Sequence, residues 1–172
     1  MWKSDRTPPP LCAGRAAEDM MRLALEEAKK AAADGEVPVG AVVVRGGEVV
    51  STGRNRREHD KNALAHAEIE AIDRACRALG GWRLWECELF VTLEPCPMCA
   101  GAIANARLRK VTFGAYDPKN GAAGSVFSLF ELPITHRPQA EGGLLEAECA
   151  EVLTRFFKDR RERKAQAGNG GR

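Results

Sequence analysis

The sequence predicts an α/β fold in which a mixed central sheet carries helices on both faces. A run of mostly β-branched residues at 39–44, followed by a Gly-Gly turn, predicts an antiparallel hairpin. A strand, a helix and a second strand between residues 89 and 115 predict a βαβ unit with parallel strands. Helices are predicted before, between and after these strands, so the sheet is expected to be covered on both sides.

The first half of the chain predicts two helices around the hairpin. Apolar residues recur every three or four positions over 16–33, and this spacing predicts the first helix. The second hairpin strand begins at Val49, and a polar loop is expected from 53 to about 64. A second helix follows and ends at Gly80. Its expected apolar face consists of Ile69, Ile72, Cys76 and Leu79.

The second half predicts a strand at 89–93, a helix at 97–106 and a second strand at 111–115. A short helix at 126–132 and a long helix from 144 onward are expected to follow. In open α/β sheets, ligands bind beyond the carboxyl ends of the strands. Cys96 and Cys99 follow one of these ends, which makes that edge of the sheet the expected functional site.

Composition indicates one globular domain. The 172 residues are 44% hydrophobic and 29% charged, and the predicted division is a flexible leader (1–15), a folded domain (16–164) and a flexible tail (165–172). The apolar runs are too short to cross a bilayer, and the first residues have no apolar secretion signal, so no membrane association is expected. The six cysteines are then expected to be reduced thiols or metal ligands, which predicts a cytoplasmic protein.

The net charge of +2 does not by itself indicate a nucleic-acid partner, but basic residues cluster in two places. The first cluster precedes His66 and consists of Arg54, Arg56, Arg57 and Lys61. The second lies between 155 and 164 and consists of Arg155, Lys158, Arg160, Arg161, Arg163 and Lys164. Either cluster could contact phosphates, or could be a solvated loop or helix end.

Two short motifs carry most of the chemical information: His66-Ala67-Glu68 and Pro95-Cys96-Pro97-Met98-Cys99. Together they offer one imidazole and two thiols to a metal, and a carboxylate that need not be a ligand. Structural zinc usually has four protein ligands, whereas catalytic zinc commonly has three and keeps a position for water. The pair of motifs matches the signature of zinc nucleobase deaminases, H-x-E with P-C-x-x-C, and so predicts hydrolytic deamination.

The spacing within each motif constrains the local structure. Pro97 suits the first turn of a helix, which places both cysteines at a helix N-terminus, where the dipole favours thiolates. His66 and Glu68 are two residues apart and cannot share a helix face, so His66 is expected at the start of its helix. Glu68 is then the expected general acid and base. A C-x-x-C motif alone could instead be a redox pair or two buried thiols.

Beyond these motifs, the chain from about 17 to 164 resembles the bacterial TadA-type tRNA adenosine deaminases of the cytidine deaminase superfamily. The stretches that carry the resemblance are 36–42, 65–69, 89–96, 98–102, 121–125 and Phe156-Phe157. The resemblance implies a three-layer α/β/α fold with about five strands, a homodimer and one zinc ion per subunit. It also implies conversion of the wobble adenosine of a tRNA anticodon loop to inosine.

The resemblance assigns roles to individual residues. His66, Cys96 and Cys99 would bind zinc, and Glu68 would move protons. Asn55 would bind the base, and Val37, Pro38 and Val39 would form the apolar wall of its pocket. Ala67, next to Glu68, would also contact the substrate. Asp117, Lys119 and Phe157 would face the RNA. Leu64 departs from the threonine more usual in the family.

Three functions remain open at this point. The first is a tRNA adenosine deaminase, and the second is a deaminase of a free base or nucleoside such as guanine or cytosine, which would use the same zinc motifs. The third is a zinc-stabilised RNA-binding module in which Cys87 or another thiol supplies a fourth ligand. From the residues alone, Asn55 could also be an ordinary turn residue, and Phe157 is more readily explained by core packing.

Overall fold

The computed structural model describes residues 7–169, which form a five-stranded sheet. The strand order is β2-β1-β3-β4-β5. The strands are β1 Gly40–Arg45, β2 Glu48–Arg54, β3 Cys87–Leu93, β4 Lys110–Ala115 and β5 Gln139–Gly142. β1 pairs antiparallel with both β2 and β3, whereas β3, β4 and β5 are mutually parallel. The predicted hairpin, βαβ unit and mixed sheet are confirmed.

Helices cover both faces of the sheet, which confirms the three-layer α/β/α architecture. They are α1 Gly14–Ala33, α2 Arg57–Asp60, α3 Ala67–Leu79, α4 Pro97–Asn105 and α5 Glu146–Asn169. α3 and α4 share one core with the sheet, and α1 and α5 share the other. Alternation along β3 separates the two cores, because Leu89 and Val91 face α3 and α4 while Phe90 faces α1. Burying each such side chain contributes about 1.5–3 kcal/mol.

Two glycines let the flanking helices lie directly on the sheet. A Cβ atom at Gly40 would lie 2.0 Å from the Ala24 carbonyl oxygen in α1. A Cβ atom at Gly53 would lie 2.2 Å from the Ala67 carbonyl oxygen at the start of α3. Any side chain at Gly53 would therefore displace the first turn of α3, which contains the Ala67-Glu68 pair.

The buried face of α3 differs from the prediction. It is made mainly of alanines: Ala67, Ala71, Ile72 and Ala75, with Glu68 beside them. Of the predicted apolar face only Ile72 is buried; Ile69 and Cys76 are half-buried, and Leu79 is 39% exposed. The reason is the close approach to β2, because a helix seated on a glycine can present only small side chains there.

Three other local predictions need correction. The loop expected from 53 to 64 contains the end of β2 and the single-turn helix α2. The short helix expected at 126–132 is reduced to a 3-10 turn, Leu129–Glu131. β5 was not predicted at all; its residues are mostly exposed, and it exists through its pairing with β4.

The segment before α1 contacts the sheet. Arg109 Nη1 donates to the Pro9 carbonyl at 2.7 Å, and the Cys12 backbone N–H donates to Glu88 Oε1 at 2.8 Å. Residues 9–12 are therefore held against the sheet, although a flexible leader was expected there. At the other end α5 continues beyond residue 164, to Asn169. The boundaries at 15/16 and 164/165 stay predictions.

Parts of the predicted leader and tail, residues 1–6 and 170–172, lie outside the described residues. Within residues 7–169, no helix is both long enough and apolar enough to cross a membrane.

Candidate metal centre and active site

One imidazole and two thiols converge beyond the carboxyl end of β3. His66 is the N-cap of α3, Cys96 is the N-cap of α4, and Cys99 lies in the first turn of α4. Their potential ligand atoms all lie within 4.8 Å of one another. His66 Nδ1 is 3.7 Å from Cys96 Sγ and 3.4 Å from Cys99 Sγ. Ordinary zinc bond lengths in a tetrahedron separate nitrogen and sulfur by about 3.5 Å, so this group fits a zinc ion.

The electrostatics of the two thiols favour a cation. A hydrogen bond from Cys99, reinforced by His66, lowers the pKa of Cys96 to about 4. The same contact with Cys96, together with burial, raises the pKa of Cys99, so the proton stays on that sulfur. The hydrogen bond to Cys96 also raises the pKa of His66. The N-terminus of α4 adds positive potential at both sulfurs. Cys96 is thus held as a thiolate, and binding of a metal ion would displace the proton from Cys99, because metal ligands must be deprotonated.

Glu68 lies beside this cluster and is almost completely buried, with 4% of its surface exposed. Burial, which disfavours the carboxylate, raises the pKa of Glu68 to about 7. The Cys99 thiol interacts with the Glu68 carboxyl and opposes part of this rise. A carboxyl group whose pKa lies near neutrality can both accept and release a proton at physiological pH, as general acid–base catalysis requires.

A cavity of about 840 Å³ opens above the cluster, large enough to enclose a nucleoside. His66, Cys96 and Glu68 form part of its lining. Seven of the eight residues predicted to contact substrate also line it: Val37, Val39, Asn55, Ala67, Asp117, Lys119 and Phe157. The eighth, Pro38, is buried and does not line the cavity.

Asn55 has a buried side-chain oxygen without a hydrogen-bond partner in the described structure. Its Nδ2 donates to the Val37 carbonyl at 3.2 Å, whereas its Oδ1 is buried without a hydrogen-bond partner in the described structure. The residue is only 6% exposed. An unpaired buried acceptor costs about 1–3 kcal/mol, so the position is explained by a donor that arrives with a ligand. A simple turn role would not leave this oxygen unpaired.

Phe157 is on the cavity side of α5 and is 39% exposed, so it is not a core residue. It contacts Phe156 edge-to-face, with ring centroids 5.4 Å apart. Phe156 itself is half-buried. An exposed aromatic ring at the mouth of a cavity is available for stacking against a base.

Cys87 cannot supply a fourth metal ligand. It begins β3, whereas the metal cluster follows the end of that strand, roughly 20 Å away at the rise of an extended chain. Among residues 7–169, no further histidine, cysteine or carboxylate joins the cluster. Cys12, Cys76 and Cys149 are free thiols outside it, as predicted. The hypothesis of a metal site closed by a fourth thiol is therefore wrong for this part of the chain.

Sequence reasoning missed Glu94, a second buried carboxylate at the cavity. It is 2% exposed, and four donors from residues 117–125 converge on it. These partners lie 23–31 residues further along the chain, so no local pattern reveals them. The only sequence signal was its position two residues before Cys96, in a motif already assigned to the metal.

Comparison with known proteins agrees with this geometry. A family model described as MafB19-like deaminase matches residues 16–161. The tRNA-specific adenosine deaminase of Bacillus subtilis (strain 168) is 49% identical over 148 residues, which cover 86% of this chain and 92% of the relative. The chain belongs to the tRNA-specific adenosine deaminase family. This family lies within the cytidine deaminase superfamily, as the resemblance of the sequence implied.

Solved structures support the membership. A chain from biochemical and structural studies of A-to-I editing by tRNA:A34 deaminases at the wobble position is 46% identical, with a TM-score of 0.75. The match covers 78% of this chain and 99% of that one, and it confirms the cytidine-deaminase-like fold. A guanine deaminase from Nitrosomonas europaea is 27% identical, with a TM-score of 0.68, over 86% of this chain and 87% of that one. The deaminase fold is thus shared by relatives with different substrates.

Proposed function

We propose that this member of the tRNA-specific adenosine deaminase family deaminates adenosine to inosine hydrolytically, at the wobble position of a tRNA anticodon loop, with one zinc ion per subunit. The observation that carries this proposal is the cluster of His66, Cys96 and Cys99, with the buried Glu68 beside it, at a nucleoside-sized cavity. The substrate is supported by the names of the relatives and of the tRNA:A34 deaminase structure.

His66, Cys96 and Cys99 would hold the zinc ion. The chemistry that the ion supplies when bound is activation of a water molecule for attack on the purine ring. Glu68 would pass one proton of that water to the ring nitrogen. It would then take the second proton from the same oxygen, once this is bonded to the ring carbon, and pass it to the departing amine. Water adds and ammonia leaves, so Glu68 returns to its starting protonation state. Its burial and its pKa of about 7 suit both directions of transfer.

Asn55 would orient the base. Its unpaired Oδ1 would accept a hydrogen bond from a donor of the bound nucleoside, such as the amino group or a ribose hydroxyl. Val37 and Val39 would form the apolar wall against the base, with Pro38 supporting them from behind. Ala67 leaves room beside Glu68 because its side chain is a single methyl group.

The rim of the cavity suits RNA better than a free base. Arg57 and Lys119 both line it, so the rim offers two cationic side chains to phosphates. Phe157 offers a stacking surface beside them, and Asp117 shapes the same wall. A free base would use the floor of the cavity and leave this charged rim without a function.

Three further properties belong to the same proposal: a homodimer, a cytoplasmic location and a deaminase domain spanning 16–164. The dimer is supported by the open face of α4. A Cβ atom at Gly101 would meet nothing within 4 Å, and Ala102 beside it is half-exposed. A second copy could pack closely against such small residues. Light scattering after gel filtration should give twice the chain mass; a monomeric mass would contradict the dimer.

The deciding experiment incubates the purified, zinc-loaded protein with an anticodon stem-loop that carries adenosine at the wobble position. Inosine should appear at that position and not in a matched stem-loop whose adenosine is moved by one nucleotide. Glu68→Ala should retain zinc and form no inosine. Wild-type protein that holds zinc but leaves the stem-loop unedited would contradict the proposal, and ammonia release from guanine or cytosine would favour the small-molecule alternative.

A further inference from the structure

Glu94 is an acceptor for both ends of one loop. Its Oε2 accepts from the Asp117 backbone N–H at 3.0 Å. Its Oε1 accepts from the backbone N–H groups of Ala123 and Ser125, at 3.1 and 2.9 Å, and the Ser125 hydroxyl donates to the carboxylate as well. A carboxylate is acceptor-only, and here its oxygens face donors from two separate parts of the 117–125 segment.

The loop closes tightly around this carboxylate. A Cβ atom at Gly121 would lie 2.4 Å from Glu94 Oε2 and 2.6 Å from the Asp117 carbonyl oxygen. The Gly121 N–H also donates to that carbonyl at 2.8 Å. The middle of the loop therefore folds back against the same side chain that binds its ends, so Glu94 acts as the centre of the segment.

The outer side of this loop is a wall of the cavity. Asp117, Pro118, Lys119 and Asn120 all line it. Asp117 Oδ1 accepts from the backbone N–H groups of Lys119 and Asn120, at 2.9 and 3.1 Å, which fixes the turn on the substrate side. Glu94 holds Asp117, and Asp117 holds the turn that carries Lys119. The position of this wall thus depends on one buried carboxylate.

We propose that Glu94 is a positioning residue that fixes the substrate-facing wall at 117–120 and thereby sets the affinity for the RNA around the target nucleoside. This inference rests on the proposed function. Every hydrogen bond that the Glu94 carboxylate accepts in the described structure comes from the 117–125 loop, and none comes from a residue of the metal cluster.

The test variant is Glu94→Gln, with Glu88→Gln as its matched control. Glutamine keeps the shape but offers one acceptor oxygen, so it can no longer serve all of the donors. Glu88 lies on β3, the strand that ends just before Glu94, and is equally buried at 2% exposed. Its carboxylate accepts from the Cys12 backbone N–H at the opposite end of that strand. Glu94→Gln should raise KM for the stem-loop about tenfold with kcat little changed, and should speed amide exchange at 117–125 about tenfold. Glu88→Gln should do neither.

Ser125→Ala covers the case in which Glu94→Gln does not fold, because it removes a single bond from an exposed residue. It should raise KM for the stem-loop, and the rate of amide exchange at 117–125, by about threefold each. Unchanged loop exchange in both variants would overturn the inference, and so would loss of zinc from Glu94→Gln without faster loop exchange. If the wild type does not edit the stem-loop, the proposed function fails, whereas the exchange comparison still decides whether Glu94 holds the wall.

Discussion

Replacing Gly53, which does not itself line the cavity, with alanine should disable the active site. The new Cβ atom would lie 2.2 Å from the Ala67 carbonyl oxygen and 2.6 Å from the Ala71 nitrogen, both helix backbone atoms. Ordinary contact begins near 3.4 Å, so the start of α3 must move by about 1 Å. Overpacking of this kind costs about 1–3 kcal/mol of stability. A displacement of about 1 Å at reacting groups can cost on the order of 10²-fold in rate.

Two contacts make the strain difficult to avoid. Ser51 Oγ donates to the Ala71 carbonyl at 2.7 Å, and the Arg54 backbone N–H donates to Glu70 Oε2 at 2.7 Å, so β2 holds α3 on both sides of Gly53. The assay measures the free energy of unfolding in urea, the zinc content and the rate of inosine formation. Gly53→Ala should lower all three.

Gly40→Ala is the matched control. Its Cβ atom would overlap α1 to a similar degree, at 2.0 Å from the Ala24 carbonyl oxygen, but α1 supplies no residue of the cavity lining. It should lose comparable stability and keep its zinc and its rate at temperatures where it stays folded. The reasoning is refuted if Gly53→Ala edits RNA at the wild-type rate, or if both variants lose activity only in proportion to stability.

Three other predictions follow from the site and the cores. Glu68→Gln should slow deamination by about 10²–10⁴-fold while zinc content stays at the wild-type level; loss of zinc would instead make Glu68 a ligand. Asn55→Ala should leave the free energy of unfolding near wild type, because removing the unpaired Oδ1 relieves about 1–3 kcal/mol and offsets the lost bond to Val37, yet inosine formation should fall. A marked loss of stability with normal activity would contradict this. Burial raises the pKa of Cys87 to about 11 and of Cys149 to about 12. Because both stay protonated at pH 8, peptide mass spectrometry should find them unmodified by iodoacetamide until the protein is unfolded, and rapid labelling of the native protein would refute the assignment.

The sequence predicted those parts of the fold that depend on local pattern. The Gly-Gly turn between two β-branched runs and the short spacing of the βαβ unit each permit few arrangements, and both were confirmed. The start of α3 was also predictable, because residues two apart can converge only at a helix terminus. His66 is indeed the N-cap there, with extended backbone angles.

The remaining features depend on distant contacts. The buried face of α3 is set by Gly53, and an alanine face carries little apolar signal in the sequence. β5 contains no β-branched residue and is ordered by its neighbour rather than by its own preference. Glu94 looks like part of the metal motif until its partners in the 117–125 loop are known. The unpaired oxygen of Asn55 likewise becomes visible only in three dimensions.

The anchored segment before α1 also bears on how the enzyme could be attached to a support. Pro9 and Cys12 bind beside Arg109 and Glu88, at the end of the sheet where β3 begins. The cavity opens at the other end of β3, about 20 Å away along the strand. A sensor surface coupled close to Pro9 would therefore lie at the end of the sheet opposite the cavity. Incoming RNA would meet an unobstructed entrance, provided that the linker leaves residues 9–12 in their place.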